Sequence, residues 1–369
     1  MFVGWARGGG RAGACGPTSK SFCALFSKSA ALLILLPPRE DFSPAAAGAI
    51  SLVVRRFALA SPGAAVMGTP RAQTFPGIDY IPVRNGFEVW RALRRRRPAV
   101  VEVHQQPRLA LALASLLPGS RVLLFLHNDP LTMRGLRSVW GRQLALSRLH
   151  RVVCVSDHLR RRFMTGLDGE GPAVLPNPLS LDELPPRAVT RAQTILFAGR
   201  MTRDKAPDVF IAACRLALPQ LPGWSARMIG GDRFGPDSPE TAYVATIRRE
   251  AAASGIDFAG PQPHDAVLAA MAQAAITVVP SRWAEPFGLT ALEAMASGSA
   301  LITSGQGGLA EVAGEAARIV PVDDPAVLAT AILDLARDRG VRDALAQAGL
   351  ARAMQFDTRL IAARLAELR

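Results

Sequence analysis

Lysine is almost missing from this sequence. Of 43 basic residues in 369, only Lys20, Lys28 and Lys205 are lysines; the rest are arginines. A compact ammonium and a planar guanidinium are not interchangeable on an anion, so a surviving lysine is a candidate for a role arginine cannot fill. Long apolar runs are missing too. The stretch from Ala30 to Leu36 is typical, far short of the ~20 residues of a membrane-spanning helix, which excludes an integral helical membrane protein. The four cysteines (Cys15, Cys23, Cys154, Cys214) form no C-x-x-C pair and have no partnering histidine cluster, and there is no N-x-[ST] sequon. This argues against a zinc site and a disulfide scaffold and fits a reducing compartment, so a cytoplasmic setting is expected. Acidic residues are scarce in the first half. Residues 1–180 hold 24 basic and 9 acidic side chains against 19 and 21 in the remainder, so the formal net charge of +13 resides in the first half.

What is present is the composition of a globular protein, 49% hydrophobic and 20% charged, long enough for two domains of ~100–200 residues. Residues 1–28 are rich in Gly, Ser and Arg without hydrophobic period and are expected to be a disordered leader. Their Gly8-x-Gly10-x-x-Gly13 formally matches a dinucleotide fingerprint but lacks the strand before it and the helix after it. From residue 29 to 185, short apolar runs (31–36, 64–67, 78–83, 100–103, 122–126, 152–155) alternate with helical patterns such as 49–59, 87–96, 108–117 and 157–164. Pro176, Pro178, Pro185 and Pro186 read as a linker. The alternation restarts over 186–355, with strands expected at 194–198, 226–229, 276–279, 301–303 and 318–320. The chain closes with helices at 325–336, 341–353 and 358–368; the closing segment 356–369 is expected to pack back on the first domain. The fold class is therefore α/β, with two doubly wound, Rossmann-like domains facing a cleft at the carboxyl ends of their strands.

Two segments carry chemistry. In the first, a strand runs into Pro280-Ser-Arg-Trp-Ala-Glu285-Pro-Phe-Gly-Leu, and a helix follows that contains Glu293. The first N–H groups of that helix, on Phe287, Gly288 and Leu289, have no intrahelical acceptors, which makes an anion site suited to a diphosphate. Glu285 and Glu293, eight positions apart, flank it. In the second segment a strand ends at Gly199-Arg200, and Lys205 precedes a helix opened by Pro207. Arg200 and Lys205 leave this loop near one another, and Lys205 is the only lysine after residue 28.

Together, Gly199-Arg200…Lys205 and Glu285-Pro-Phe-Gly-Leu…Glu293-Ala-Met-Ala-x-Gly298 resemble the family 4 (group 1) retaining glycosyltransferases of the GT-B fold. Val152-Val-Cys-Val-Ser156, Val174-Leu-Pro-Asn177 and Gly307-Gly-Leu-Ala-Glu311 resemble the same family. The resemblance implies that a sugar moves from a nucleotide donor, a UDP- or GDP-sugar, to an acceptor hydroxyl without a metal or cofactor. Arg200 and Lys205 would hold the diphosphate, Glu293 the ribose and Glu285 the transferred sugar, with the N–H groups of Phe287, Gly288 and Leu289 completing the cradle. His127, at the end of a buried strand, would touch the transferred sugar, and Gly48 would approach the phosphates. His104 is a weaker candidate of the same kind, and Asn128 and Asp129 are placed either at the acceptor or in a turn. The sequence departs from the family at Ala206 and Pro178, where glycine is usual, and at Ala47-Gly48, where a glycine pair is usual.

Arg91, Arg94–Arg97, Arg160–Arg162 and the pair Arg55 and Arg56 could form basic patches on an anionic membrane surface. No aromatic stacking run accompanies them, so nucleic acid is not expected as a partner. A sugar or lipid-linked acceptor in cell-envelope polysaccharide or lipopolysaccharide synthesis is the family-level expectation. The alternatives are a sugar-nucleotide epimerase of the same fold and a non-catalytic polyanion-binding protein.

Overall fold

The computed structural model describes residues 32–44, 46–186, 190–232, 240–321 and 323–369. The expected leader, with Gly8–Gly13 and Cys15, Cys23, Lys20 and Lys28, lies outside them. Among the described residues, thirteen strands form two parallel sheets. The first contains β1 (Leu32–Leu35), β2 (Ala65–Gly68), β3 (Asp79–Pro82), β4 (Val100–His104), β5 (Arg121–Leu126), β6 (Arg151–Cys154) and β7 (Ala173–Val174), in the spatial order 3-2-1-4-5-6-7. The second contains β8 (Ala192–Ala198), β9 (Ser225–Ile229), β10 (Asp257–Phe258), β11 (Ala274–Val279), β12 (Ala300–Thr303) and β13 (Arg318–Ile319), in the order 10-9-8-11-12-13. Each order reverses direction once, between β1 and β4 and between β8 and β11, which opens a crevice at the carboxyl ends of those strands.

The central strands β1, β4 and β11 are buried along their whole length, because helices cover both faces of each sheet. The two-residue strands β7 and β10 were not legible as apolar runs. They are edge strands, too short to carry a period.

The proline-rich crossing over 176–186 is packed rather than loose. Leu179 is fully buried, its N–H bonds the Phe356 carbonyl at 2.7 Å, and Thr358 N–H bonds its carbonyl at 2.9 Å. The final helix, Thr358–Leu368, then places Ile361 and Leu365 in the apolar cluster of the first sheet, beside Val54 and Phe57.

Arg55 and Arg56 do not belong to a basic surface patch. Arg56 is buried on the helix Ala49–Leu59, and its guanidinium is used up internally. Nε and Nη2 donate to Glu183 Oε2 at 3.2 and 3.1 Å, and Nη1 donates to the Pro178 carbonyl at 3.0 Å. Arg55 pairs with the other oxygen of Glu183. Leu52 and Val53, one turn earlier, lie on the same buried stripe, so packing forces Arg56 inward and a buried cation must find a partner. Arg160–Arg162 are likewise neutralised. Arg160 and Arg161 pair with Asp157, and Arg162 pairs with Asp129 at 2.7 Å.

Two contacts lock the halves together beside the crevice. Ser156 Oγ accepts the Leu159 N–H as a helix cap and donates to the Pro286 carbonyl at 2.5 Å. The Glu311 carboxylate accepts the N–H groups of Asp157 and His158 at 2.7 and 2.5 Å. A carboxylate from one half thus sits on the positive end of a helix from the other.

Candidate functional site

Two loops leave adjacent strands at the β8/β11 switch point, and polar contacts bind them into one unit. The Asp204 carbonyl accepts the N–H groups of Arg282 (2.9 Å) and Trp283 (3.2 Å) and the Ser281 hydroxyl (3.0 Å). Arg282 then forks onto both oxygens of Asp208 at 2.8 and 2.7 Å. Burial pushes the Asp208 carboxyl upward, but the Arg282 fork outweighs it and leaves the group below its usual range. A bidentate pair of this kind fixes geometry as well as charge.

On this base Lys205 reaches Glu285. The Lys205 ammonium hydrogen-bonds Glu285 Oε1 and lies 5.4 Å from the centre of the Trp283 ring. Glu285 is buried and Lys205 mostly so. Arg200 is not brought into this pair. It is exposed, and among the described residues its nearest carboxylate is that of Asp204, at 3.7 Å. Ala206, where the family usually has glycine, adopts a left-handed conformation (φ 54°) and is fully buried. The turn needs positive φ, and alanine supplies it at a cost of about 1 kcal/mol.

The loop expected to bind an anion is built by close backbone approach. Gly288 (φ 110°) caps the helix Leu289–Ala296, and a Cβ there would fall 2.5 Å from Leu309 Cδ2. Gly307 and Gly308 lie flat against the loop. The Gly308 N–H bonds the Glu285 carbonyl at 2.6 Å, and a Cβ on Gly307 would meet that same oxygen at 2.5 Å. The N–H groups of Phe287, Gly288 and Leu289 find no acceptor among the described residues. Phe287 is buried edge-on to Phe356 at 5.8 Å, which anchors the loop.

Glu293, one turn into this helix, is held by His264, which was not singled out from the sequence, and by Arg56, which was expected on a basic surface. His264 Nε2 is 2.9 Å from Glu293 Oε1, and Arg56 Nη2 from the first half is 3.7 Å from the same oxygen. Burial opposes charging of His264, but the Glu293 carboxylate outweighs it and raises the imidazole above its ordinary value. His264 follows Pro263 at the start of a helix, and no local pattern marks it.

In the first half, His127 follows β5 and is buried, with its backbone N–H bonded to Gln105 Oε1 at 2.7 Å. Its ring Nε2 is 2.8 Å from Nδ1 of His104, which is fully buried. Asp129 forms a turn: its Oδ1 accepts the Leu131 N–H, and its Oδ2 pairs with Arg162. The helix start expected to meet phosphate at Gly48 is taken by a carboxylate. Glu40 Oε2 accepts from both N–H and Oγ of Ser51, at 3.3 and 3.1 Å, and lies 2.6 Å from where a Gly48 Cβ would be. Burial leads the rise of the Glu40 carboxyl above its usual value.

The family model for glycosyl transferases group 1 matches residues 192–338, and that for Glycosyltransferase Family 4 matches residues 49–183. YtcC of Bacillus subtilis is 28% identical over 66% of this chain and 65% of its own length. The D-inositol 3-phosphate glycosyltransferase of Acidothermus cellulolyticus is 34% identical over 44% of this chain and 37% of its own length. In both cases the match spans less than two thirds of the relative. Among solved structures, Anabaena HepE in complex with UDP and glucose superposes with a TM-score of 0.74 at 18% identity, covering 91% of this chain and 98% of HepE. Sucrose-phosphate synthase from Thermosynechococcus elongatus gives 0.72 at 22% identity, with coverage of 91% and 98%. These two likenesses establish the GT-B fold. With one model on each half and the two spanning most of residues 49–338, the chain belongs to the group 1, family 4 glycosyltransferases.

Proposed function

We infer that the protein is a retaining glycosyltransferase that moves a sugar from a UDP- or GDP-sugar to an acceptor hydroxyl. The observation that carries this reading is the Lys205–Glu285 pair beside the free N–H groups of Phe287, Gly288 and Leu289. A donor diphosphate seated on those N–H groups meets the positive end of a helix and competes with Glu285 for the Lys205 ammonium. Glu285 is then released to accept hydrogen bonds from sugar hydroxyls. Glu293 suits the ribose hydroxyls, with His264 and Arg56 holding its carboxylate in place. Arg200, exposed at the loop, is free to swing onto the leaving phosphate. Transfer forms the bond from the acceptor oxygen to the anomeric carbon and breaks the bond from that carbon to the diphosphate. The acceptor proton passes to the departing phosphate oxygen. Preorganised N–H groups and cations stabilise that leaving charge without a metal.

HepE supports a uridine donor, since it was solved with UDP and with UDP-glucose. Thermal shift with UDP-glucose, UDP-galactose, UDP-N-acetylglucosamine and GDP-mannose tests the reading. One donor is expected to raise the melting temperature by mass action and to be turned over. Stabilisation without turnover would favour the polyanion-binding alternative, and release of an epimerised sugar nucleotide would favour the epimerase.

The acceptor is assigned to cell-envelope polysaccharide or lipopolysaccharide synthesis, at an anionic membrane face. The supporting surface is the helix Gly86–Arg96. Phe87 is exposed, Trp90 half-buried, and Arg91, Arg94, Arg95 and Arg97 are exposed. No helix among the described residues is long and apolar enough to cross a membrane, so contact would be peripheral. Each arginine near the surface contributes about 1 kcal/mol. Co-sedimentation with vesicles is expected to rise with phosphatidylglycerol content and to drop in an Arg91→Ala, Arg94→Ala, Arg95→Ala triple variant. Indifference to lipid charge would remove this assignment.

A further inference from the structure

A buried chain of ionisable side chains runs behind His127, from the end of the last helix to the crevice. Glu102 lies in the middle of β4 and is fully buried. Its Oε1 accepts from Arg369 Nε at 2.6 Å, and Arg369 Nη1 donates to Ser61 Oγ at 2.7 Å. Among the described residues Glu102 Oε2 has no hydrogen-bond partner, and it faces His104 Nε2, also without one, at 3.9 Å. Residues 102 and 104 share a face of the strand by its two-residue period. The His104 ring is stacked on Phe125 at 4.6 Å, which holds its plane. Its Nδ1 then meets His127 Nε2 at 2.8 Å.

That last contact holds one proton, and two neutral arrangements could supply it. In one, His104 donates from Nδ1 and turns the lone pair of Nε2 toward the Glu102 carboxylate, which is repulsive. In the other, His104 carries its proton on Nε2, facing the carboxylate, and His127 donates from Nε2 to His104 Nδ1. The second is favoured by the sign of the charge alone. It leaves His127 Nδ1 without a proton and with no protein partner among the described residues. Burial leads the lowering of both imidazoles, that of His127 far below its usual value, so both rings are neutral at neutral pH. Burial would push Glu102 upward, but His104 and Arg369 pull it below its ordinary value, so the carboxylate is charged.

The geometry points to Glu102 and His104 as positioning residues that fix His127 as a hydrogen-bond acceptor through Nδ1, and so to a donor sugar that offers a hydroxyl proton at that nitrogen. This deepens the function proposed above and rests on it: His127 directly follows β5, at the carboxyl edge of the first sheet, where that function needs the transferred sugar. Selecting the imidazole tautomer through the nitrogen on the far side of the ring is a general way of setting what the near nitrogen can do.

Long-range proton–nitrogen NMR of protein labelled with 15N-histidine reads the tautomers directly. In the unmodified protein His104 and His127 are both expected as Nε2–H forms; a Nδ1–H or doubly protonated His127 would overturn the proposal. Glu102→Gln removes the charge and is expected to shift His127 toward mixed tautomers. It should also lower turnover, read as donor hydrolysis, about 10- to 100-fold, the loss seen for other groups that act through a neighbour. Turnover is read with the four sugar nucleotides named above. Glu102→Asp, which keeps the charge, is expected to restore the tautomer and most of kcat. An unchanged His127 tautomer in folded Glu102→Gln sinks the relay. Full turnover by His127→Ala, with the tautomers as expected, would instead defeat the placement of His127 at the sugar while leaving the relay standing. The wild-type spectrum decides the relay even if Glu102→Gln does not fold.

Discussion

Lys205→Ala is expected to lower kcat by about 10²–10³-fold while leaving the fold intact, the loss typical of removing one preorganised group that faces developing charge. Lys205 is mostly buried and sits between Glu285 and the face of Trp283, so the site holds a point charge in a narrow slot. Under the proposed function its removal takes a cation from the leaving diphosphate, and it leaves Glu285 as an uncompensated buried carboxylate. Lys205→Arg is expected to recover less than a tenth of the activity, since a planar fork does not fit the contact made by an ammonium. Glu285→Ala is expected to fall in the same range. Steady-state transfer and donor hydrolysis by purified variants, with circular dichroism as the fold control, check these outcomes. Near-normal turnover by folded Lys205→Ala would sink the assignment.

The second large effect is structural. Gly307→Ala is expected to destabilise the protein by about 2–4 kcal/mol and to abolish donor-induced stabilisation. Gly307 has φ 65° and ψ −130°, a conformation that is essentially glycine's own and costs other residues about 1–3 kcal/mol. An added Cβ would also fall 2.5 Å from the Glu285 carbonyl oxygen and 2.6 Å from the Ala284 carbonyl carbon. Overpacking against backbone costs a further ~1–3 kcal/mol, because neither chain can swing aside as a side chain could. The strand-like bridge between Glu285 and Gly307 would open and carry Glu285 away from Lys205. Gly314→Ala is the control. It too has positive φ (52°), but its nearest contact is the flexible Arg352 side chain at 3.5 Å, so it should lose stability and retain donor binding. Thermal unfolding with and without donor reads both effects; a Gly307→Ala protein that binds donor normally would contradict the account of the loop.

Much of the framework was legible because its signals are local. Buried parallel strands are short apolar runs, and the helices Ala49–Leu59, Asp157–Met164 and Thr358–Leu368 coincide with their patterns end to end. The site was legible as two loops because each follows a buried strand and opens a helix. The arrangement of charges around those loops was not. Arg55 and Arg56 read as surface charge although Leu52 and Val53 already marked the inward stripe, and Arg160–Arg162 read as a patch although Asp157 stood in the same turn. His264, Glu40 and Glu102 gave no signal at all, since each partner lies 11 or more residues away, apart from the 102–104 pair.

The scarcity of lysine looks different with the tertiary structure at hand. Sequence alone determined that the chain builds two doubly wound α/β halves, that Lys205 stands out, and that Glu285 and Glu293 flank a helix start. These follow from periodicity, composition and spacing, which the chain carries within a few residues. Only the tertiary structure decided which cation meets which carboxylate. It joined Lys205 to Glu285 and left Arg200 at the surface. It turned Arg56 inward and put Glu40 where phosphate was expected. The reason is physical: the free energy of a charge depends on its burial and on partners brought close by long-range packing, and neither is encoded in the residues beside it.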